Sequence, residues 1–174
     1  MLKSKTPKDS YTISTEIVLP NDTNVLGNLM GGRLLHWMDI TSAIAAHRHS
    51  GRVVVTASVN HVSFERAIKL GDYVTIEAKV SRAFNTSMEV FIDVFVEESS
   101  TGKKVKSNDA TYVFVAVDQL GRPIEIPQLT PETEEEKERY DTALKRKQLS
   151  LLLSGKLKPN EAPELRDLFL EKKA

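Results

Sequence analysis

Between Arg33 and His47 the sequence has a helical rhythm, but its apolar residues fall almost all the way round. Leu34, Leu35, Trp37, Met38, Ile40, Ala43, Ile44, Ala45 and Ala46 leave no broad polar face. A helix of that kind has to be enclosed by other structure rather than laid on a surface. Beyond the helix, the chain is strand-like from Arg52 to Val117. Val53-Val54-Val55 opens a β-branched run that continues through Val59, Val62 and Phe64. After Leu70-Gly71-Asp72, residues 73–82 alternate, with Val74, Ile76, Ala78 and Val80 on one face and Thr75, Glu77, Lys79 and Ser81 on the other. Residues 88–96 repeat the pattern, Met88, Val90, Ile92, Val94 and Val96 inward and Glu89, Asp93 and Glu97 outward. Ser99-Ser100-Thr101-Gly102 turns the chain, and Lys103–Val117 is a last long strand. Thr12–Leu19, ending at Pro20-Asn21-Asp22, supplies a strand before the helix. Short turns imply antiparallel neighbours. The economical fold is therefore α+β, one antiparallel sheet wrapped around one apolar helix.

The segment from residue 128 onward differs in kind. Thr130-Pro131-Glu132 places a capping hydroxyl before a proline at a first helical position. Glu132, Glu134, Glu135 and Glu136 then lie at the positive end of the predicted helix, with Lys145, Arg146 and Lys147 further along. Gly155 stops it, and a short amphipathic stretch from Glu161 to Leu170 comes after. We divide the chain into a main domain, 1–127, and a helical extension, 128–174, that serves assembly rather than chemistry.

Composition removes several classes of function. Lys+Arg and Asp+Glu are equal at 24 each, so the chain lacks the field of a nucleic-acid binder. It has no cysteine, hence no disulfide, thiolate metal site or cysteine nucleophile. Residues 1–10 carry Lys3, Lys5 and Lys8 with no apolar run behind them, unlike a signal peptide, and no segment approaches the ~18 apolar residues of a membrane span. The expected compartment is the cytoplasm. There is no Gly-x-Ser-x-Gly elbow, phosphate loop or His-Glu-x-x-His. His36, His47, His49 and His61 lack ligand spacing, with His47 and His49 read as polar residues of the helix end, so no metal site is expected.

Two oddities remain. Asp39 sits inside the apolar helix, too far from its start to act as a cap. A carboxylate there needs an ion pair with Arg33 or His36, or a polar slot. The second oddity is the loop from Asn21 to Gly32, which ends in Gly31-Gly32 immediately before the helix. Glycines let a ligand approach the backbone, and the first helical N–H groups point out unsatisfied, ready for a negative oxygen. The same pair could equally serve a tight turn.

Asn24-x-x-Gly27-x-x-x-Gly31-Gly32 followed by Trp37-Met38-Asp39 resembles the active-site signature of the acyl-coenzyme A thioesterase family. Phe64-Glu65-Arg66-Ala67-Ile68 before Leu70-Gly71-Asp72, and Asn85-Thr86-Ser87-Met88-Glu89-Val90, extend the resemblance over about residues 12–127. It implies a hotdog fold and hydrolysis of acyl-CoA to fatty acid and coenzyme A, with no cofactor and no metal. It also implies a site made of Asn24 and Asp39 from different copies in a dimer, Asp39 serving as general base or as nucleophile, with dimers gathering into a trimer of dimers. Backbone N–H groups of Gly31 and Gly32 would hold the oxyanion. Arg82, Asn85, Thr86 and Ser87 are candidates for the coenzyme's phosphates, or simply an ordinary hairpin. Two rivals stand beside this reading. One is a dehydratase or hydratase using His36 with Asp39; the other is a non-catalytic acyl-CoA sensor. Neither nucleic acid nor membrane is an expected partner.

Overall fold

The computed structural model describes residues 3–60, 62–64 and 66–165. They divide into two compact units, Met1–Thr130 and Pro131–Ala174. In the first unit, strand β1 (Thr12–Ile17) precedes helix α1 (Gly31–Ser50), followed by β2 (Val53–Asn60), β3 (Tyr73–Ala83), β4 (Ser87–Glu97) and β5 (Lys104–Val117). Every pairing is antiparallel, in the order β1-β3-β4-β5-β2, so β1 and β2 are the edges. This is the hotdog arrangement that the element order predicts.

The alternation in β3 and β4 decides which face meets the helix. Val74, Ile76, Ala78 and Val80, with Met88, Val90, Ile92 and Val94, are entirely buried, packed with Met38, Ala45 and Ala46 of α1. A bulge between Val80 and Arg82 then changes the parity, so that Ala83 turns inward opposite Met88 and Arg82 pairs with Glu89. Glu89 does not lie in solvent as its position in the alternation suggests. It is 2% exposed, and Ser81 Oγ donates to its carboxylate at 2.6 Å. A polar residue on the outer face of a sheet is solvated only where nothing covers that face.

Two further sequence expectations change. The strand run does not reach Val62 and Phe64, because β2 ends at Asn60 and residues 62–64 have no regular structure. The helix is also not enclosed on every side within one chain. Leu34, Trp37 and Met38 are buried, but His36, Ile40 and Ile44 form an exposed stripe, since a single sheet covers one side of a helix.

Helix α1 ends at Gly51, whose left-handed φ of 63° closes the turn with an N–H bond to the His47 carbonyl. His47 is an exposed helix-end residue, its Nδ1 lying 2.8 Å from the Arg52 carbonyl. His49 is not: it is fully buried, with Nε2 2.8 Å from the Pro127 carbonyl and Nδ1 without a partner. Burial pushes its pKa below the ordinary histidine value of 6.5; the Pro127 bond and Asp9 oppose this, and Lys5 adds to it. Below about pH 6.5 the unfolded chain therefore binds a proton that the folded chain resists, and stability falls as pH drops. Thermal melts should show a drop of a few degrees in melting temperature from pH 7.5 to pH 5.5, reduced in His49→Gln. Equal losses in both proteins would remove His49 as the cause.

The second unit holds helix α2, Glu134–Leu153. Its cap is Thr133 rather than Thr130. Thr133 Oγ1 accepts the Glu136 N–H at 3.2 Å, while the Glu136 carboxylate accepts the N–H groups of Glu132 and Thr133. A reciprocal box satisfies two end donors where a threonine before proline would satisfy one, and the helix starts there. Of the stretch 161–170, residues 166–170 lie outside the described residues. Among the described residues no helix is long and apolar enough to cross a membrane.

Candidate active site

The loop before α1 is held by its own polar groups. The Asn24 N–H donates to the Asn28 carbonyl at 2.8 Å, and Thr23 bridges to Leu29. Asn24 Oδ1 accepts the N–H groups of Leu26 at 2.9 Å and Asn28 at 3.2 Å. With the oxygen occupied by two donors, the amide has one orientation, and its Nδ2 is the group left for a ligand. The loop is braced from outside: Leu29 donates to the Ile68 carbonyl at 2.7 Å and Leu70 to the Gly27 carbonyl at 3.1 Å. Its tip, Val25 and Leu26, is exposed.

The two glycines differ. A side chain at Gly31 would meet the Phe64 ring at 3.2 Å, whereas one at Gly32 would meet nothing within 4 Å. The amides of Arg33 and Leu34 both donate to the Met30 carbonyl, at 3.0 and 3.1 Å. Those of Gly31 and Gly32 have no acceptor among the described residues. Two N–H groups at the positive end of a long helix are thus available to an anionic oxygen.

Asp39 lies two turns further along α1, half-buried. Neither expected ion pair forms. Arg33 is bound to Asp22, Nε to Oδ1 at 2.6 Å, and Asp39 instead accepts the Thr56 hydroxyl at 2.8 Å. Thr56 stands on β2 where the register slips between Thr56 and Ser58. The other Asp39 oxygen has no partner among the described residues. Beneath it, Tyr112 of β5 donates its hydroxyl to the Leu35 carbonyl at 3.1 Å, one turn before Asp39. Burial, and then the charge of Asp39, push this phenol up to about 12, so it remains a donor at neutral pH.

These groups do not all meet within one chain. Eight helical residues span roughly 12 Å, so the Gly31 amide and the Asp39 carboxylate of one copy cannot touch the same carbonyl. Arg82, Asn85, Thr86 and Ser87 lie further still. The Asn85 carbonyl accepts the Ile126 N–H at 3.1 Å, beside the Pro127 that binds His49, which places this hairpin at the C-terminal end of α1. The Thr86 carbonyl accepts the Ala116 N–H at 2.9 Å, and the Arg82 guanidinium lies 5.6 Å from the Phe84 ring centre.

The thioesterase superfamily model matches residues 26–103, which include Asp39 and Thr56. An uncharacterised acyl-CoA thioester hydrolase of Bacillus subtilis (strain 168) is 39% identical over 139 residues, which are 80% of this chain and 81% of that one. The chain belongs to the acyl-CoA thioester hydrolases of the thioesterase superfamily. Mouse acyl-coenzyme A thioesterase 11 is 40% identical over 144 residues. This thioesterase chain covers only 24% of that longer relative. Among solved structures, a hexameric acyl-CoA thioesterase superposes with a TM-score of 0.80 at 40% identity, over 84% of this chain and 94% of that one. An acyl-CoA hydrolase of Staphylococcus aureus, solved with butyryl coenzyme A, coenzyme A and coenzyme A disulfide, gives 0.80 at 34% identity, over 87% and 94%. That hydrolase has also been solved with an asparagine, an aspartate or a threonine replaced by alanine.

Thr56 is the site residue that sequence reasoning passes over. A threonine among valines is ordinary in a strand. Only the register slip and the aspartate opposite distinguish it.

Proposed function

We propose that the chain hydrolyses acyl-CoA to free fatty acid and coenzyme A in the cytoplasm, without metal or cofactor, at sites shared between two copies. The observation that carries this reading is the Asp39–Thr56 pair: a carboxylate fixed by one hydroxyl, its second oxygen free, on the open side of a half-covered helix. Asp39 acts as general base. It takes a proton from water as the water oxygen bonds to the thioester carbon. The C–S bond then breaks, and Asp39 returns its proton to the leaving thiolate sulfur.

The second copy supplies the N-terminal end of its α1. Its Gly31 and Gly32 amides stabilise the carbonyl oxygen as charge develops, and its Asn24 Nδ2 donates to the same oxygen or to the attacking water. The length of α1 between Gly31 and Asp39 supports this division. The unpaired edge of β2 and the exposed Ile40, Ile44, Val53 and Val55 make pairing favourable. In the Staphylococcus aureus hydrolase, the asparagine, aspartate and threonine chosen for substitution stand 15 and 17 positions apart, the separations of Asn24, Asp39 and Thr56. The hairpin with Arg82, Asn85, Thr86 and Ser87 contacts the coenzyme's phosphates from a neighbouring copy. The unit Pro131–Ala174 adds surface for a trimer of dimers.

Acyl-CoAs from acetyl to palmitoyl should release free thiol at a rate unchanged by a chelator. Saturable binding of acyl-CoA without thiol release would replace catalysis by a sensor role.

A further inference from the structure

Asp22 is a buried, bonded residue beside the site, and no step of the chemistry uses it. It is 2% exposed, at the end of a short 3-10 turn, Pro20–Asp22. Its Oδ2 accepts the Leu19 N–H at 3.0 Å and its Oδ1 the Arg33 Nε–H at 2.6 Å. Its carbonyl accepts the Met30 N–H at 2.9 Å. Leu19 precedes the loop that carries Asn24. Met30 and Arg33 flank Gly31 and Gly32. One residue therefore ties the entrance of the loop to the first turn of α1, and adds to the braces that Ile68 and Leu70 give Leu29 and Gly27. Arg33 is partly exposed and lies with its guanidinium 5.9 Å from the Trp37 ring centre, which holds it against the helix.

We propose that Asp22 is a positioning residue: it sets where the Asn24 Nδ2 stands relative to the Gly31 and Gly32 amides, so that all can address one oxygen. This role rests on those of Asn24 and the two glycines in the proposed hydrolysis. An ion pair with one buried carboxylate and two further backbone bonds is a stiff anchor at the two ends of the loop, whereas the bonds to Ile68 and Leu70 hold only its middle. Displacement of a positioned group by about 1 Å can cost on the order of a hundredfold in rate.

The test is Asp22→Asn, which keeps the size, the carbonyl acceptor and a bond for Leu19, but loses the charge facing Arg33. It is measured on the assembled enzyme with and without Asn24→Ala. We expect kcat to fall roughly ten- to a hundredfold with KM within about twofold. In the Asn24→Ala background, read by single turnover at high enzyme concentration, the same change should cost less than about twofold, because the group it positions has gone. An equal fold loss in both backgrounds, or an unchanged kcat, would overturn the proposal. If Asp22→Asn does not assemble, Arg33→Gln, which cuts the same pair from its exposed side, is judged by the same two comparisons. Full activity in Asn24→Ala alone would instead refute the role given to Asn24, a different failure.

Discussion

Asp39→Asn should leave a folded, assembled protein whose turnover of acyl-CoA is lower by roughly two or more orders of magnitude, the scale of a lost general base. The amide is nearly isosteric and its oxygen can still accept the Thr56 hydroxyl, so the local geometry persists. What disappears is the free oxygen that takes the proton from water. Asp39 is half-buried and has no ion pair among the described residues, so neutralising it strands no buried cation there, and the melting temperature should hold or rise. The measurement is thiol release beside a thermal melt. Wild-type turnover in this variant would end the role of Asp39, and loss of turnover together with loss of fold would point to structure instead.

Mixing two inactive proteins should restore activity. Asn24→Ala lacks the donor on the loop, and Asp39→Ala lacks the base on the helix. If each site takes its loop from one copy and its aspartate from the other, a mixed dimer has one site with both defects and one with none. Random pairing makes about half of the dimers mixed, so an equal mixture should recover roughly a quarter of the wild-type rate. Co-expression with two tags, followed by tandem purification, proves that the dimers are mixed and should raise recovery to about half. Purified mixed dimers with no activity would mean that each site lies within one chain, contrary to the span of α1 between Gly31 and Asp39.

The fold is legible in the sequence where a single face decides burial. In β3 and β4, every residue assigned inward by alternation is buried, because a two-residue period leaves no other way to hide so many valines and isoleucines. Legibility fails where burial or bonding depends on a second element. Glu89 follows the outward pattern and is buried nevertheless. His49 occupies a cationic helix end and is covered, its ring meeting Pro127 from far along the chain. Ile40 and Ile44 make the helix look enclosed, but one chain leaves them exposed. Around the site, the spacing of Asn24, the glycines and Asp39 is visible in one dimension. The partners of Arg33 and Asp39 are not, since Asp22 and Thr56 are brought to them only by tertiary structure.

Gly31 and Gly32 read alike, yet the fold treats them differently. At position 31 a side chain would crowd the Phe64 ring at 3.2 Å, so the ring would have to give way. At position 32 an alanine would fit with nothing in the way, and it would stiffen the start of α1, where glycine is the weaker helix former by up to about 1 kcal/mol. No neighbour among the described residues demands the gap. On the proposed reading, that open space at the N-terminal end of α1 is where the thioester reaches the Gly31 and Gly32 amides. An alanine at this position would make a sturdier protein with less room for a visitor, the trade in which rigidity is bought with function.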